Sequence, residues 1–452
     1  MKIIIIGCGK VGITLAEQLS EEKHDIILVD QSAEKLQQVP ESIDALQVLG
    51  NGASIATQME AEVEHADILI AVTGSDELNL LCCLIAKKAG NCQTIARVRN
   101  PIYNKEIGFI KERLGISMII NPEFTTATEI ARLLRFPSAI KIDTFAKGRV
   151  ELLKFRVRSE FNLHNVAVYS LRERWKCDIL VAGVEREEEV YIPNGEFILK
   201  DGDLVSIIAS PQNAAKFFQK IGLKTNQVKN CMIVGGGTIG FYLAKQLIDM
   251  KIEVRIVEKE KERCDELSEL LQGAMILYGD GTDKKLLQEE GLEKTEAFVT
   301  LTNMDEENIL LSLYAKDQTS AKLITKVNKI SFDHLIDKLD IGSVIYPKYL
   351  TADYIVQYVR AMQNSIGSNV ETLYHILDKR AEALEFAINE NSAVVGVPLV
   401  DIELKDNLLI GCIHRHGEIM IPRGHDMIQV GDTVIVVTTQ KCLHDIEDIL
   451  KK

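Results

Sequence analysis

The chain has 452 residues, 46% hydrophobic and 26% charged, a globular balance that gives two to four domains cores of their own. A net charge of −14 without a dense Lys/Arg cluster excludes the basic footprint that nucleic-acid binding requires. No apolar run reaches the roughly 18 residues of a membrane span, the four-isoleucine run at the start does not read as a signal peptide, and nine scattered cysteines with no CxxC pair fit a reducing cytoplasm.

In chain order, KIIII (2–6) predicts a strand running into Gly7, Gly9 and Gly12 and then the helix VGITLAEQLSEE (11–22). DIILVD, ALQVL, DILIAV, TIARV and SMII follow as short strands, with SAEKLQQV and DELNLLCCLIAKKAG as helices between them. Strands separated by helices predict a parallel sheet covered on both faces. PEFTTATEIARLLRFP predicts a connecting helix over 124–137, ended by Pro137. Then the character changes. AIKIDTF, VELLKFRV, LVAGVER and DLVSIIAS predict a small α+β domain over 138–225 that closes on the helix AAKFFQKIG.

The series then restarts. CMIV, VRIVE, AMILY, AFVTL and KLITKV repeat the parallel sheet over 228–348. PKYLTADYIVQYVRAMQ repeats the connecting helix over 349–366, and 367–452 repeats the α+β domain, ending in the helix CLHDIEDIL. Gly7 and Gly235, like Asp30 and Glu258, stand 228 residues apart. Thr73, Asp76, Glu77 and Asn79 match Thr302, Asp305, Glu306 and Asn308 at 229, as the turns Pro193-x-Gly195 and Gly202-Asp203 match Pro422-x-Gly424 and Gly431-Asp432. One offset held over so many positions is the mark of a duplicated two-domain unit. The fold class is α/β: two doubly wound, Rossmann-like parallel-sheet domains, each followed by a small α+β domain.

A lone GxGxxG is weak, but here strand, glycines, helix and a closing acid occur together twice, with Asp30 and Glu258 each 18 residues beyond the third glycine. Gly7 permits the tight turn, Gly9 lets a phosphate approach the backbone and Gly12 lets the helix pack on the strand. Cys8, Lys10 and Val11 complete the first loop; its helix N-terminus offers free N–H donors to a phosphate. Asp30 suits ribose hydroxyls and repels a 2′-phosphate, which selects NAD(H) over NADP(H) and leaves ATP open. Thr73-Gly74 follow the fourth strand at the sheet's carboxyl edge, where ligands sit in such folds. Asp76 and Asp305 are expected to cap the helices that follow. Arg97 and Arg99 flank Val98 and, by strand alternation, reach one phosphate cluster, on this chain or a neighbouring subunit; solvated edge charge is the alternative. The second site comprises Gly235, Gly236, Gly237, Thr238, Ile239, Gly240, Glu258 and Thr302. There Lys10 becomes Thr238, and Arg97 and Arg99 become Lys326 and Asn328, so it carries less positive charge and is expected to prefer a different or weaker nucleotide.

Catalytic machinery is not legible. His24 and His65 fall away from the carboxyl edge, His164 falls in a loop, and His414, His416 and His425 gather near a late hairpin without acidic partners at ligand spacing. There is no nucleophile elbow and no GxxxxGK[ST]. Duplicated nucleotide sites without catalytic groups point to sensing, with an NAD-dependent oxidoreductase and a pure assembly scaffold as the competing readings.

GCGKVG with Asp30, TGSDELN, ARVRN, the INPEF helix and the restart at VGGGTIG together resemble the TrkA family of Trk-system potassium-uptake regulators, built of two tandem RCK units, over essentially the whole chain. The resemblance implies the order RCK-N, RCK-C, RCK-N, RCK-C and no enzymatic activity. It implies NAD(H) and ATP or ADP as ligands, held by the two glycine loops, Asp30, Thr73, Gly74, Val98 and Glu258, with Arg97 and Arg99 on phosphates. It further implies a cytoplasmic ring of identical chains, peripheral on the inner face of the membrane through a Trk-type potassium transporter subunit that it gates.

Overall fold

The structure, a computed structural model, describes residues 1–451 except 105, 137–138, 146–149, 188, 224–226, 329–335, 337–338, 340, 365–369, 378–379, 389–391, 416–417, 441–442 and 444. The described chain divides into two compact units, 1–131 with 229–359 and 132–228 with 360–452.

The first unit holds two lobes. In the first lobe, β1 (Lys2–Ile6), β2 (Asp25–Asp30), β3 (Ala45–Leu49), β4 (Ile68–Ala71), β5 (Gln93–Arg97) and β6 (Met118–Ile120) form one parallel sheet. Its order is β3-β2-β1-β4-β5-β6, that of dinucleotide-binding folds. The isoleucines of β1 are buried on both faces, as a central parallel strand requires, whereas the edge strand β3 exposes Leu46 and Leu49. The second lobe repeats the order with β7 (Asn230–Val234), β8 (Glu253–Glu258), β9 (Ala274–Tyr278), β10 (Ala297–Thr300), β11 (Lys322–Lys326) and β12 (Ser343–Ile345). Of these, β12 is the apolar strand expected ahead of the proline that starts the second connecting helix.

In both sheets the order reverses between the first and fourth strands. That opens a crevice beyond their carboxyl ends, where the glycine loop meets the loop after the fourth strand. The lobes also exchange helices. Helix Pro122–Arg135 of the first lobe meets Thr238–Asp249 of the second, with Phe124 edge-on to Tyr242 at 5.5 Å and Gln246 Nε2 donating to Thr128 Oγ1 at 3.2 Å. In return, helix Pro347–Asn364 meets Lys10–Glu21, where Gln18 Nε2 donates to Asp353 Oδ1 at 3.0 Å. Each connecting helix crosses the boundary between the two compact units.

The second unit contains two five-stranded antiparallel sheets, one from 141–209 and one from 370–438. Their shared apolar cluster includes Leu152, Ile208, Ala383, Cys412 and Ile435. The Gly-Asp turns fall where the sequence placed them, with Gly202 and Gly431 at φ +89° and +91°. The helix expected from AAKFFQKIG forms over Pro211–Lys220. The expected terminal helix shrinks to one turn, Ile446–Ile449, because Asp445 and Asp448 cap it and Leu450 bridges Leu404 in extended form; Cys442 and His444 lie outside the described residues, as does Pro137.

All eight described cysteines are buried and unpaired. Burial pushes the thiols of Cys8, Cys82 and Cys412 up to about 12. Only thiolates are good nucleophiles, so these three are expected not to react with a thiol reagent at pH 8 in the native protein and to react on denaturation. A mass-spectrometric count of labels checks this.

Candidate functional site

The first glycine loop is shaped by its neighbours. Gly7 has φ +106°, and a Cβ on it would lie 3.0 Å from the Thr73 amide. A Cβ on Gly12 would lie 1.9 Å from the Gly7 carbonyl oxygen, so helix Lys10–Glu21 can lie this close to β1 only with glycine there. Gly9 differs. A Cβ on it would meet nothing within 4 Å, so no protein packing requires glycine, and the backbone faces open space. Gly9 is also the helix N-cap and supplies no side-chain cap, which leaves the N–H groups of the first turn to a ligand. Lys10 beside it is exposed and Val11 half-buried.

Asp30 closes the crevice. Its Oδ2 accepts from the Cys8 amide at 2.8 Å and its Oδ1 from the Ser32 amide at 2.9 Å, with Lys35 Nζ 3.7 Å away. These bonds clamp the loop and orient the carboxylate, whose remaining lone pairs can accept ribose hydroxyls.

Across the crevice several expectations change. The Thr73 amide and hydroxyl both donate to Asn79 Oδ1, at 2.8 and 2.7 Å, so Gly74, open beyond its Cα, offers the accessible backbone. Ser75 caps the helix by accepting from the Leu78 amide. Asp76 Oδ2 instead accepts from the amides of Arg99 and Asn100, at 2.9 and 2.8 Å, tying the ends of β4 and β5 together. Arg97 and Arg99 do not act as a pair, because β5 ends at Arg97 and strand alternation ends with it. Arg97 turns inward to the Thr73 carbonyl, its Nε buried without a partner, while Arg99 Nε donates to Glu123 Oε1 at 2.6 Å. Val98 is core: its side chain is buried and its amide donates to the Ile120 carbonyl.

The second lobe repeats the clamp. Gly235 has φ +108°, a Cβ on Gly240 would lie 2.4 Å from the Gly235 carbonyl oxygen, and Gly237 is open as Gly9 is. Glu258 accepts from the amides of Gly236 and Glu260, at 2.7 and 2.9 Å. Ile239 is half-buried. The Thr302 amide is taken by Asn308 at 2.9 Å, Lys326 Nζ donates to the Leu301 carbonyl at 3.2 Å, and Asp305 accepts from the Asn328 amide at 2.9 Å. Burial pulls the Lys326 ammonium below its ordinary range. Arg263 Nε donates to the Gly236 carbonyl at 2.8 Å; at the matching position of the first lobe stands Lys35. Asn79 and Asn308 were visible in the repeat, but nothing in their spacing revealed that they hold the loop after the fourth strand.

An open cavity of about 570 Å³ lies between the lobes, lined by Gly74 to Glu77 and Arg99 to Pro101 of the first and by Thr238 of the second. Thr238 begins the helix behind the second glycine loop, so Arg99 of the first lobe and the start of that helix line one cavity. The lobes meet here through Asn121, whose Nδ2 donates to Tyr242 Oη at 3.1 Å and to the Arg99 carbonyl at 3.3 Å.

Of the described histidines, His24 is buried beside the terminal amino group, and His164 accepts from the Asp201 amide. Among the described residues no group of three or more His, Cys, Asp or Glu is placed to hold a metal; His416 lies outside them. No helix of the described residues is long and apolar enough to cross a membrane.

Residues 3–122 and 231–347 match the model of the TrkA-N domain, and 152–222 and 383–451 that of the TrkA-C domain. Over its whole length the chain is 33% identical to the full length of Trk system potassium uptake protein TrkA homolog 1 of Methanosarcina mazei. It is equally identical to 99% of Trk system potassium uptake protein TrkA of Halomonas elongata. Among solved structures, the GsuK channel bound to NAD superposes with a TM-score of 0.62 at 18% identity, over 97% of this chain and 77% of that one. GsuK bound to ADP superposes with 0.50 at 15% identity, over 79% and 69%.

Proposed function

The chain belongs to the TrkA family of Trk-system potassium uptake proteins, regulatory components and not oxidoreductases, and on that premise we propose that it is a nucleotide sensor that gates a membrane potassium transporter. The observation that carries the reading is the pair of open glycines. Gly9 and Gly237 each leave the backbone bare at a helix start, while Asp30 and Glu258 are held at the ribose position by the loop's own amides. The first site, with Lys10 beside the loop, suits NAD(H). The second, where Thr238 and Arg99 line one cavity, suits ATP or ADP, whose terminal phosphate pairs with a guanidinium. That GsuK, of similar fold, is described with NAD and with ADP supports both assignments.

In this reading occupancy of the inter-lobe cavity changes how the lobes meet. Helices Pro122–Arg135 and Pro347–Asn364 carry that change toward the second unit, and a ring of chains passes it to a transporter subunit at the inner membrane face. A ligand moves such an equilibrium only through its differential affinity for two states.

Arg99→Ala is expected to weaken ATP and ADP about 10- to 100-fold, the worth of one charge-assisted hydrogen bond, with NADH at the first site little changed. Calorimetric titration checks this; equal affinity in the variant removes Arg99 from the site.

A further inference from the structure

Arg99 lines the cavity, yet its guanidinium is already engaged by Glu123, at 2.6 Å. Glu123 is largely buried and only half satisfied: its other oxygen, Oε2, is buried with no hydrogen-bond partner. A buried carboxylate oxygen left unpaired is unfavourable, so neighbouring cations must hold the side chain in place. Those that feel its charge are Arg97 of the same lobe and Lys326 of the other. The anions Asp76 and Asp305 nearby are engaged by backbone amides after β5 and β11. Glu123 is thus the acid that answers the cavity's exposed cation. It stands in the first turn of helix Pro122–Arg135, one residue before Phe124, which packs on Tyr242. The matching position of the second connecting helix is Lys348, so this acid belongs to one lobe only.

We propose that Glu123 is a resident counter-ion that a terminal phosphate must displace from Arg99, so that filling the cavity frees the first turn of helix Pro122–Arg135. A terminal phosphate carries close to two negative charges at neutral pH and offers a guanidinium two oxygens, whereas Glu123 offers one. The phosphate takes Arg99, and the carboxylate, already short of a partner, loses its remaining hydrogen bond. The helix that joins the two compact units therefore registers whether Arg99 is engaged by protein or by ligand. This inference rests on reading the cavity as a nucleotide phosphate site.

The test uses the full chain in buffer with a metal chelator, with ADP as the probe, and Glu123→Gln, which keeps size and removes charge. Competition by the resident carboxylate lowers apparent affinity by the fraction of time Arg99 is free. Glu123→Gln is therefore expected to bind ADP about tenfold more tightly than wild type. Hydrogen exchange in 122–131 is expected to rise when ADP binds the wild type and to be insensitive to ADP in the variant. Glu123→Ala, with folding checked by its thermal transition, is expected to behave alike. Unchanged or weaker ADP binding in both variants, or the same exchange response as wild type, overturns the proposal while leaving the nucleotide site standing. Failure of the wild type to bind ADP at all overturns the site assignment and this inference with it.

Discussion

Gly12→Val is expected to weaken nucleotide binding at the first site by on the order of a hundredfold and to lower the thermal midpoint. Even the first added carbon would stand 1.9 Å from the Gly7 carbonyl oxygen, and the obstacle is backbone, so no side-chain rotation relieves it. Either helix Lys10–Glu21 lifts off β1 or the Gly7 turn opens. Both movements pull the Cys8 amide from Asp30 and misdirect the N–H groups of the first helical turn. Overpacking of this kind costs about 3 kcal/mol at the upper end of its usual range, a weakening on the order of a hundredfold if it falls on the bound state. Gly240→Val should do the same to the second site, where the Cβ would stand 2.4 Å from the Gly235 carbonyl oxygen. Gly9→Ala is the control: its Cβ meets no protein atom, so the fold should survive while phosphate approach suffers. Thermal melts with NADH and ATP titrations separate the three; a Gly12→Val protein that binds NADH normally would contradict the reading.

Arg415→Ala is expected to produce a large loss of stability in the second unit. Arg415 makes a two-pronged contact with Asp432, Nε to Oδ1 at 2.8 Å and Nη2 to Oδ2 at 2.7 Å, and also donates to the Met427 carbonyl. Asp432 is almost fully buried, and its Oδ2 accepts from the Gln429 amide at 2.7 Å, so one carboxylate closes a turn and receives a guanidinium. Removing the arginine leaves that charge buried without its counter-ion, which costs about 3–5 kcal/mol. For a unit of this size, that lowers the melting transition by on the order of 10 °C. Arg186 and Asp203 repeat the arrangement, with Lys200 in the place of Gln429, and Arg186→Ala should match it. Lysine at either position should recover little, because an ammonium cannot present two parallel donors. A loss below 1 kcal/mol by chemical denaturation would show that the pair is not what holds the turn.

These positions show how much of the protein its residues announce. The glycine loops, the closing acids and the strands with continuous Ile and Val runs were legible because each has a local cause: a turn that only glycine fits, a carboxylate that its own loop's amides hold, burial on two faces. The Gly202-Asp203 and Gly431-Asp432 turns were legible as turns, but their partners Arg186 and Arg415 were not, since a pairing across a sheet leaves no local period. Asp76 and Asp305 misled because an acid in a first helical turn ordinarily caps it; here the loop after the fifth strand lies closer and takes the carboxylate. Arg97 and Arg99 misled because alternation was carried past the end of β5. That Arg99 and Thr238 line one cavity was not legible, because comparison of each residue with its own repeat cannot reveal which residues of the other lobe lie near it.

The central claim is that the two glycine-to-acid crevices bind nucleotides and perform no chemistry on them. Calorimetric titration of the intact chain with NADH and with ATP, repeated on Asp30→Ala and Glu258→Ala, tests it most directly. The account predicts saturable binding of both ligands, NADH lost with Asp30 and ATP with Glu258, and NADH recovered unoxidised. No heat from either nucleotide, or both variants binding both ligands as wild type does, would contradict it.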